Sequence, residues 1–137
     1  AERGQRIAVV DSVIRGCDQG IEAGYGEPTV EIDHCLITQN GTGIRFGDSY
    51  DWGADGTFIV THTVAVENDI NVRNHLNSTG GPHPDGLQIA CSMVDDPDWD
   101  EVANNVSGVP PITGGCVDAA AMASPCDEDV PGPRTCP

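Results

Sequence analysis

The 137-residue chain carries 22 Asp and Glu against six Arg and no Lys, for a formal net charge of −16. A chain of this length forms one domain with one modest core. A surface so poor in clustered cations excludes phosphate recognition, and with it nucleic acid and anionic membranes as partners. The acidity suits high salt, divalent cations or a basic partner, and solubility alone accounts for it equally well. No 18-residue apolar run is present, so no membrane-spanning helix is expected. No signal peptide is visible either. The chain opens at Ala1, six residues ahead of its first repeat, and reads as a mature or excised piece of something longer.

In chain order, short β-type runs recur every 23 to 29 residues. Ile7 to Gly24 lies over Val30 to Gly47, which lies over Phe58 to Asn74, and Leu87 to Val94 follows. A period of this length predicts a stacked solenoid in which each repeat is one coil. The coils run from Ile7 to about Pro28, Thr29 to Asp55, Gly56 to about Pro84, and Asp85 to about Val94. Stacking gives inward columns: Ile7, Val30, Phe58 and Leu87; Val9, Ile32, Val60 and Ile89; Ser12, Cys35, Thr63 and Ser92; Ile14, Ile37, Ala65 and Val94; Ile21, Ile44 and Val72. Alternate residues of a strand face one side, so these columns point inward together. Cys17, Asn40 and Asn68 share one turn, where a stacked Asn amide can satisfy the backbone of neighbouring coils. After Val94 the repeat stops. An acidic turn (Asp95 to Glu101), a loop to Pro111, a short helix over Asp118 to Ser124 and a Pro- and Gly-rich end are expected. The reading is therefore coils over 1–94 and an irregular acidic, Cys- and Pro-rich tail over 95–137, packing on or capping them.

This pattern resembles the right-handed parallel β-helix repeat family, the pectate-lyase-like architecture common in secreted bacterial surface proteins. The blocks Gly43 to Gly53 and Val66 to Asn74 are similar to β-helix segments of large exported bacterial multidomain proteins. The resemblance implies an all-β, right-handed parallel β-helix of about four coils and an extracellular or cell-surface location. It is nearly silent on activity. Ile32-Asp33-His34 resembles a calcium-binding motif of one pectate lyase family, but Glu31 replaces the expected Trp, and the Arg-Pro-x-x-Arg stretch is absent.

Six cysteines, Cys17, Cys35, Cys91, Cys116, Cys126 and Cys136, show neither a C-x-x-C pair nor a zinc spacing, and the sequence does not choose among their pairings. Some disulfides are expected, with the tail cysteines the leading candidates. Asp11, His34, His62 and Cys91 form one column of metal-capable residues. Stacked coils lie roughly 4.8 Å apart, so only the neighbouring pair His34 and His62 can reach one ion, and a polar corner ladder explains the column as well. Glu22, Arg45 and Arg73 share another column, read as structural.

Loops leaving one corner place Tyr25, Tyr50 and Trp52 together as a candidate glycan-binding flank, with Asp48, Asp51 and Asp55 as hard oxygen donors for calcium. Gly-Asp turns without metal explain the same residues. N-x-S/T sequons stand at Asn40, Asn77 and Asn105. Val13, Leu36, Val64 and Met93 alternate with the inward positions yet are apolar, giving an outward stripe that something should cover. The tail's Val102, Val106, Val109 and Ile112, held by a disulfide from Cys116 to a coil cysteine, would do so; a partner chain is the rival. Three functional classes follow: a non-catalytic extracellular module for surface display or polysaccharide binding; a structural piece assembling end to end with copies or with a larger parent; and a fragment of a carbohydrate-active enzyme. No cofactor is required by any of them, and calcium is the candidate ion.

Overall fold

A computed structural model describes residues 4–23, 28–47, 56–74, 86–99, 103–110, 112–113, 116–117, 126 and 131–134. Among them the chain is all-β, without a helix. Among the described residues eleven strands visit three sheets in one repeating order, in three full passes (circuits) and part of a fourth. The first contains β1 (Arg6–Val10), β2 (Val13–Arg15) and β3 (Gln19–Ala23); the second β4 (Thr29–Asp33), β5 (Leu36–Thr38) and β6 (Thr42–Phe46). The third contains β7 (Thr57–Thr61), β8 (Val64–Val66) and β9 (Ile70–Asn74), and β10 (Leu87–Ala90) and β11 (Met93–Val94) begin a fourth. Like strands pair in parallel into sheet A (β1-β4-β7-β10), sheet B (β2-β5-β8-β11) and sheet C (β3-β6-β9). Parallel strands in stacked sheets, visited in the same order on each circuit, are consistent with a β-solenoid.

The register follows the apolar columns. Ile7 pairs with Val30, Val30 with Phe58 and Phe58 with Leu87, while Ile21, Ile44 and Val72 align in sheet C. These columns meet in one core of buried residues that includes Ile32, Ile37, Ile44, Phe46, Phe58, Val60, Ile89 and Val94. Two polar ladders run through it. The Ser12 column is a chain of hydrogen bonds: the Cys35 amide donates to Thr63 Oγ1, the Thr63 amide to Ser92 Oγ, and the Ser92 amide to Asn105 Oδ1. The Asn40 amide group donates to Ile14 O and to Asn68 Oδ1, and Asn68 in turn donates to Ile37 O. Within these two ladders the buried polar groups are thus partnered by neighbouring circuits, which offsets the cost of burying them. Gly43 leaves the space this ladder needs, since a Cβ there would lie 2.7 Å from Asn68 Nδ2.

The sequons at Asn40 and Asn105 fall on these buried amides, each 4% exposed, so neither is open to glycosylation as folded. Asn77 lies outside the described residues.

The repeat does not stop at Val94. Residues 103–106 add a shortened row: Cys91 N donates to Ala103 O, Val106 bridges Met93 in parallel, and the Asn105 side chain donates to Ile89 O and Trp99 O. The intervening acidic turn buries Trp99 (4% exposed) against the core at this end of the stack. At the opposite end Ile7 is 39% and Val10 46% exposed.

The apolar stripe on the outside of sheet B is covered by the chain's own later residues. Leu36, Val64 and Met93 are buried, together with Val66, and Val13, Val106, Ile112 and Val117 pack against them. Ile112 and Val117 sit on a small antiparallel pair, β12 (Ile112–Thr113) and β13 (Cys116–Val117). Of the four tail residues expected here, Val106 and Ile112 make the contact, Val109 is 49% exposed, and Val102 lies outside the described residues. The disulfide to a circuit cysteine comes from Cys126, not Cys116: Cys126 bonds Cys91. The helix expected over 118–124 lies outside the described residues. No helix among those described is long and apolar enough to cross a membrane.

Cys17 and Cys35 are free thiols, the first exposed and the second buried. Burial pushes the Cys35 thiol above its ordinary range, and the thiolate is the reactive form. In the native state iodoacetamide should therefore alkylate Cys17 within minutes and leave Cys35 unmodified until denaturant is added. Peptide mass mapping reads both sites, and equal native labelling would show that the core opens at Cys35.

Candidate functional site: an Asp-His corner beside an open groove

Between sheets A and B the chain turns sharply at Asp11, His34, His62 and Cys91, all with φ between 46° and 52°. Left-handed backbone is uncommon for non-glycine residues, and Asp and His are among the types enriched there. The turn geometry thus helps explain why this column carries Asp and His, and stacking brings their side chains together. The imidazoles of His34 and His62 stack with centroids 4.8 Å apart. Asp33, the last residue of β4, spans the pair: its Oδ2 lies 2.9 Å from His34 Nδ1 and its Oδ1 lies 3.1 Å from His62 Nδ1. Thr61 Oγ1 donates to Asp33 Oδ1 at 2.8 Å. Partial burial pushes the Asp33 carboxyl up, but hydrogen bonds with His34, His62 and Thr61 outweigh it and hold the group below its ordinary range.

The tail runs back along this corner as a strap. Cys126 is bonded to Cys91 in the fourth circuit, Gly132 N donates to His62 O in the third, and Arg134 reaches the second and first. Arg134 N donates to Asp11 Oδ1 at 3.1 Å, and its Nη2 lies 3.3 Å from Asp33 Oδ2 and 2.6 Å from His34 Nδ1. A guanidinium therefore stands among two carboxylates and an imidazole nitrogen.

Asp33 also closes one side of a groove on the outer face of sheet A, about 380 Å³ in volume, lined by Ala8, Val10, Glu31, Ile59 and Thr61. It crosses β1, β4 and β7 and so runs along the stack. Glu31 at its rim is held by Arg6 at 2.7 Å.

No protein family, curated protein or solved structure matches the chain.

His34 and His62 come together as neighbours, while Asp11 lies with Arg134, and Cys91 is taken by the disulfide. Arg134 is the member that sequence reasoning missed, and Asp33 entered it only through the motif resemblance of Ile32-Asp33-His34, not as a residue spanning His34 and His62. Asp33 had a signal, since it immediately precedes a corner histidine and shares its register with Thr61. Arg134 had a weaker one, as the single cation after Arg73. Arg45 pairs with Glu22 at 3.1 Å, the structural pair expected of that column. Tyr25, Tyr50, Trp52, Asp48, Asp51 and Asp55 all lie outside the described residues.

Proposed function

We propose that the chain is a right-handed parallel β-helix of about four coils, of the pectate-lyase-like kind, serving as a non-catalytic extracellular module that displays a polysaccharide-binding surface. The observation that supports this is the open groove across β1, β4 and β7. A groove running along the stack matches an extended polymer, and its lining alternates apolar patches (Ala8, Val10, Ile59) with sugar-hydroxyl partners (Glu31, Asp33, Thr61). With a net charge of −16 the chain favours neutral or basic glycans over uronates. Tyr25, Tyr50 and Trp52 extend the surface in this reading, with calcium on Asp48, Asp51 or Asp55. The Cys91–Cys126 disulfide suits an oxidising compartment.

A glycan array tests it, with wild type compared against Ile59→Glu and Trp52→Ala. Binding of neutral chains that falls at least about tenfold in Ile59→Glu, a loss of about 1.4 kcal/mol, supports the groove. A wild-type protein silent across neutral, basic and acidic glycans sinks it.

A second reading is favoured by the first circuit, where Ile7 and Val10 are exposed and, among the described residues, β1 has a sheet neighbour on one side only. Unpaired strand edges template pairing with other chains. In this reading the chain associates end to end through that edge, with a copy or with the rest of a larger parent. Sedimentation at high concentration decides: a strict monomer whose β1 amides exchange slowly removes self-association.

A further inference from the structure

The corner holds a conflict that hydrogen bonding alone does not resolve. His34 Nδ1 lies 2.9 Å from a carboxylate oxygen of Asp33, which only accepts, and 2.6 Å from the Arg134 guanidinium, which only donates. One ring nitrogen carries either a proton or a lone pair, so it satisfies one of these neighbours at the expense of the other. A proton on Nδ1 serves Asp33 and opposes Arg134. A lone pair serves Arg134 and opposes Asp33. A bare cation at the position of Arg134 Nη2 would resolve the conflict, because it accepts electron pairs from nitrogen and carboxylate together.

We propose that Asp33, His34 and His62 form a binding site for a divalent transition-metal ion of the zinc class, and that the ion and the Arg134 guanidinium compete for it. The three donor atoms lie within 4.8 Å of one another. Two imidazoles and one carboxylate suit zinc, cobalt or nickel rather than calcium or magnesium, which take all-oxygen sets. Bonds of about 2.0–2.2 Å require the donors to draw together by about 1 Å or more. His34 is fixed, at 1% side-chain exposure, whereas His62 at 23% and Asp33 at 32% have room to turn inward. Asp33 pairs with Thr61, the residue before His62, so the backbone stays in register and side-chain rotation brings the donors together. The tail makes the competition consequential. Among the described residues Arg134 carries the strap's contacts with the first two circuits at this corner, and the ion's arrival releases it while Cys126 remains bonded to Cys91. Metal and strap are thus linked: each weakens the other's hold on the corner, whatever the groove binds.

Calorimetric titration of Zn²⁺ into the full chain, with Co²⁺ absorption as a second probe of nitrogen ligation, tests the site. Circular dichroism melts confirm that each variant is folded. The expected result is one saturable site in wild type, at least about tenfold weaker in His62→Gln and several-fold tighter in Arg134→Gln, where the competitor is gone. Trypsin reads the strap, since the bond after Arg134 is cut only when that side chain is free. Zn²⁺ should speed this cleavage in wild type and leave it unchanged in His62→Gln. No saturable uptake of Zn²⁺, Co²⁺ or Ni²⁺ by folded Arg134→Gln overturns the site. Equal affinity in wild type and His62→Gln places the metal elsewhere and overturns it too. Tight binding with no change in cleavage after Arg134 overturns the competition.

Discussion

Leu36→Asp should melt more than 10 °C below wild type and expose the tail to protease. Leu36 is fully buried on the outside of sheet B, stacked between Val13 and Val64, in the cluster that takes in Val106, Ile112 and Val117. Losing its burial costs roughly 1.5–3 kcal/mol. The carboxylate must also be desolvated in an apolar layer or protonated, which takes the total to about 4 kcal/mol or more. For a domain of this size each kcal/mol moves the midpoint by roughly 3–5 °C. Leu36→Met, which keeps the volume, should stay within a few degrees of wild type. Thermal melts with limited proteolysis make the comparison. Coincident melts of Leu36→Asp and wild type would falsify the covered stripe.

The second large effect belongs to the disulfide. Cys126→Ser keeps the corner residue Cys91 and removes a link that closes a 35-residue separation. Chain-entropy reasoning assigns such a closure about 4 kcal/mol. The variant, or wild type under reductant, should lose roughly that in denaturant-unfolding stability. Amide exchange at Gly132 and Arg134 should rise before exchange in sheets A to C does, because the strap is then held by hydrogen bonds and packing alone. If exchange rises everywhere at once, the strap and the stack are a single cooperative unit.

The stacked circuits were legible because a parallel strand writes itself into sequence twice, in its alternation and in its repeat. Val30, Phe58 and Leu87 each mark the same inward position, and the Asn40–Asn68 ladder follows from the same register. The shortened row at 103–106 escaped because Val106 follows Met93 by only thirteen residues, about half a circuit, so the period breaks where the register continues. The corner was half legible. His34 and His62 lie in register and could be paired by counting, but Arg134 is 100 residues from His34 and belongs to no repeat. Nothing local specifies a contact of that kind; it depends on where the strap crosses the corner. The Cys91–Cys126 pairing was hidden for the same reason, since six cysteines in an irregular chain leave 15 pairings open.

The bond from Arg134 to Asp11 spans 123 residues, and that has a consequence for how the protein is made. Each circuit can dock on the previous one as it leaves the ribosome, because neighbours in the stack are 23 to 29 residues apart. The outside of sheet B cannot be covered until the residues around Ile112 and Val117 have emerged, nor the corner closed until Arg134 has. A nascent chain therefore presents Val13, Leu36 and Val64 as a lengthening uncovered face while elongation proceeds at roughly 5–20 residues per second, for several seconds in all. During that interval the half-made stack exposes apolar surface of the kind a holding chaperone binds, and slow translation of the last third should cost yield rather than help it.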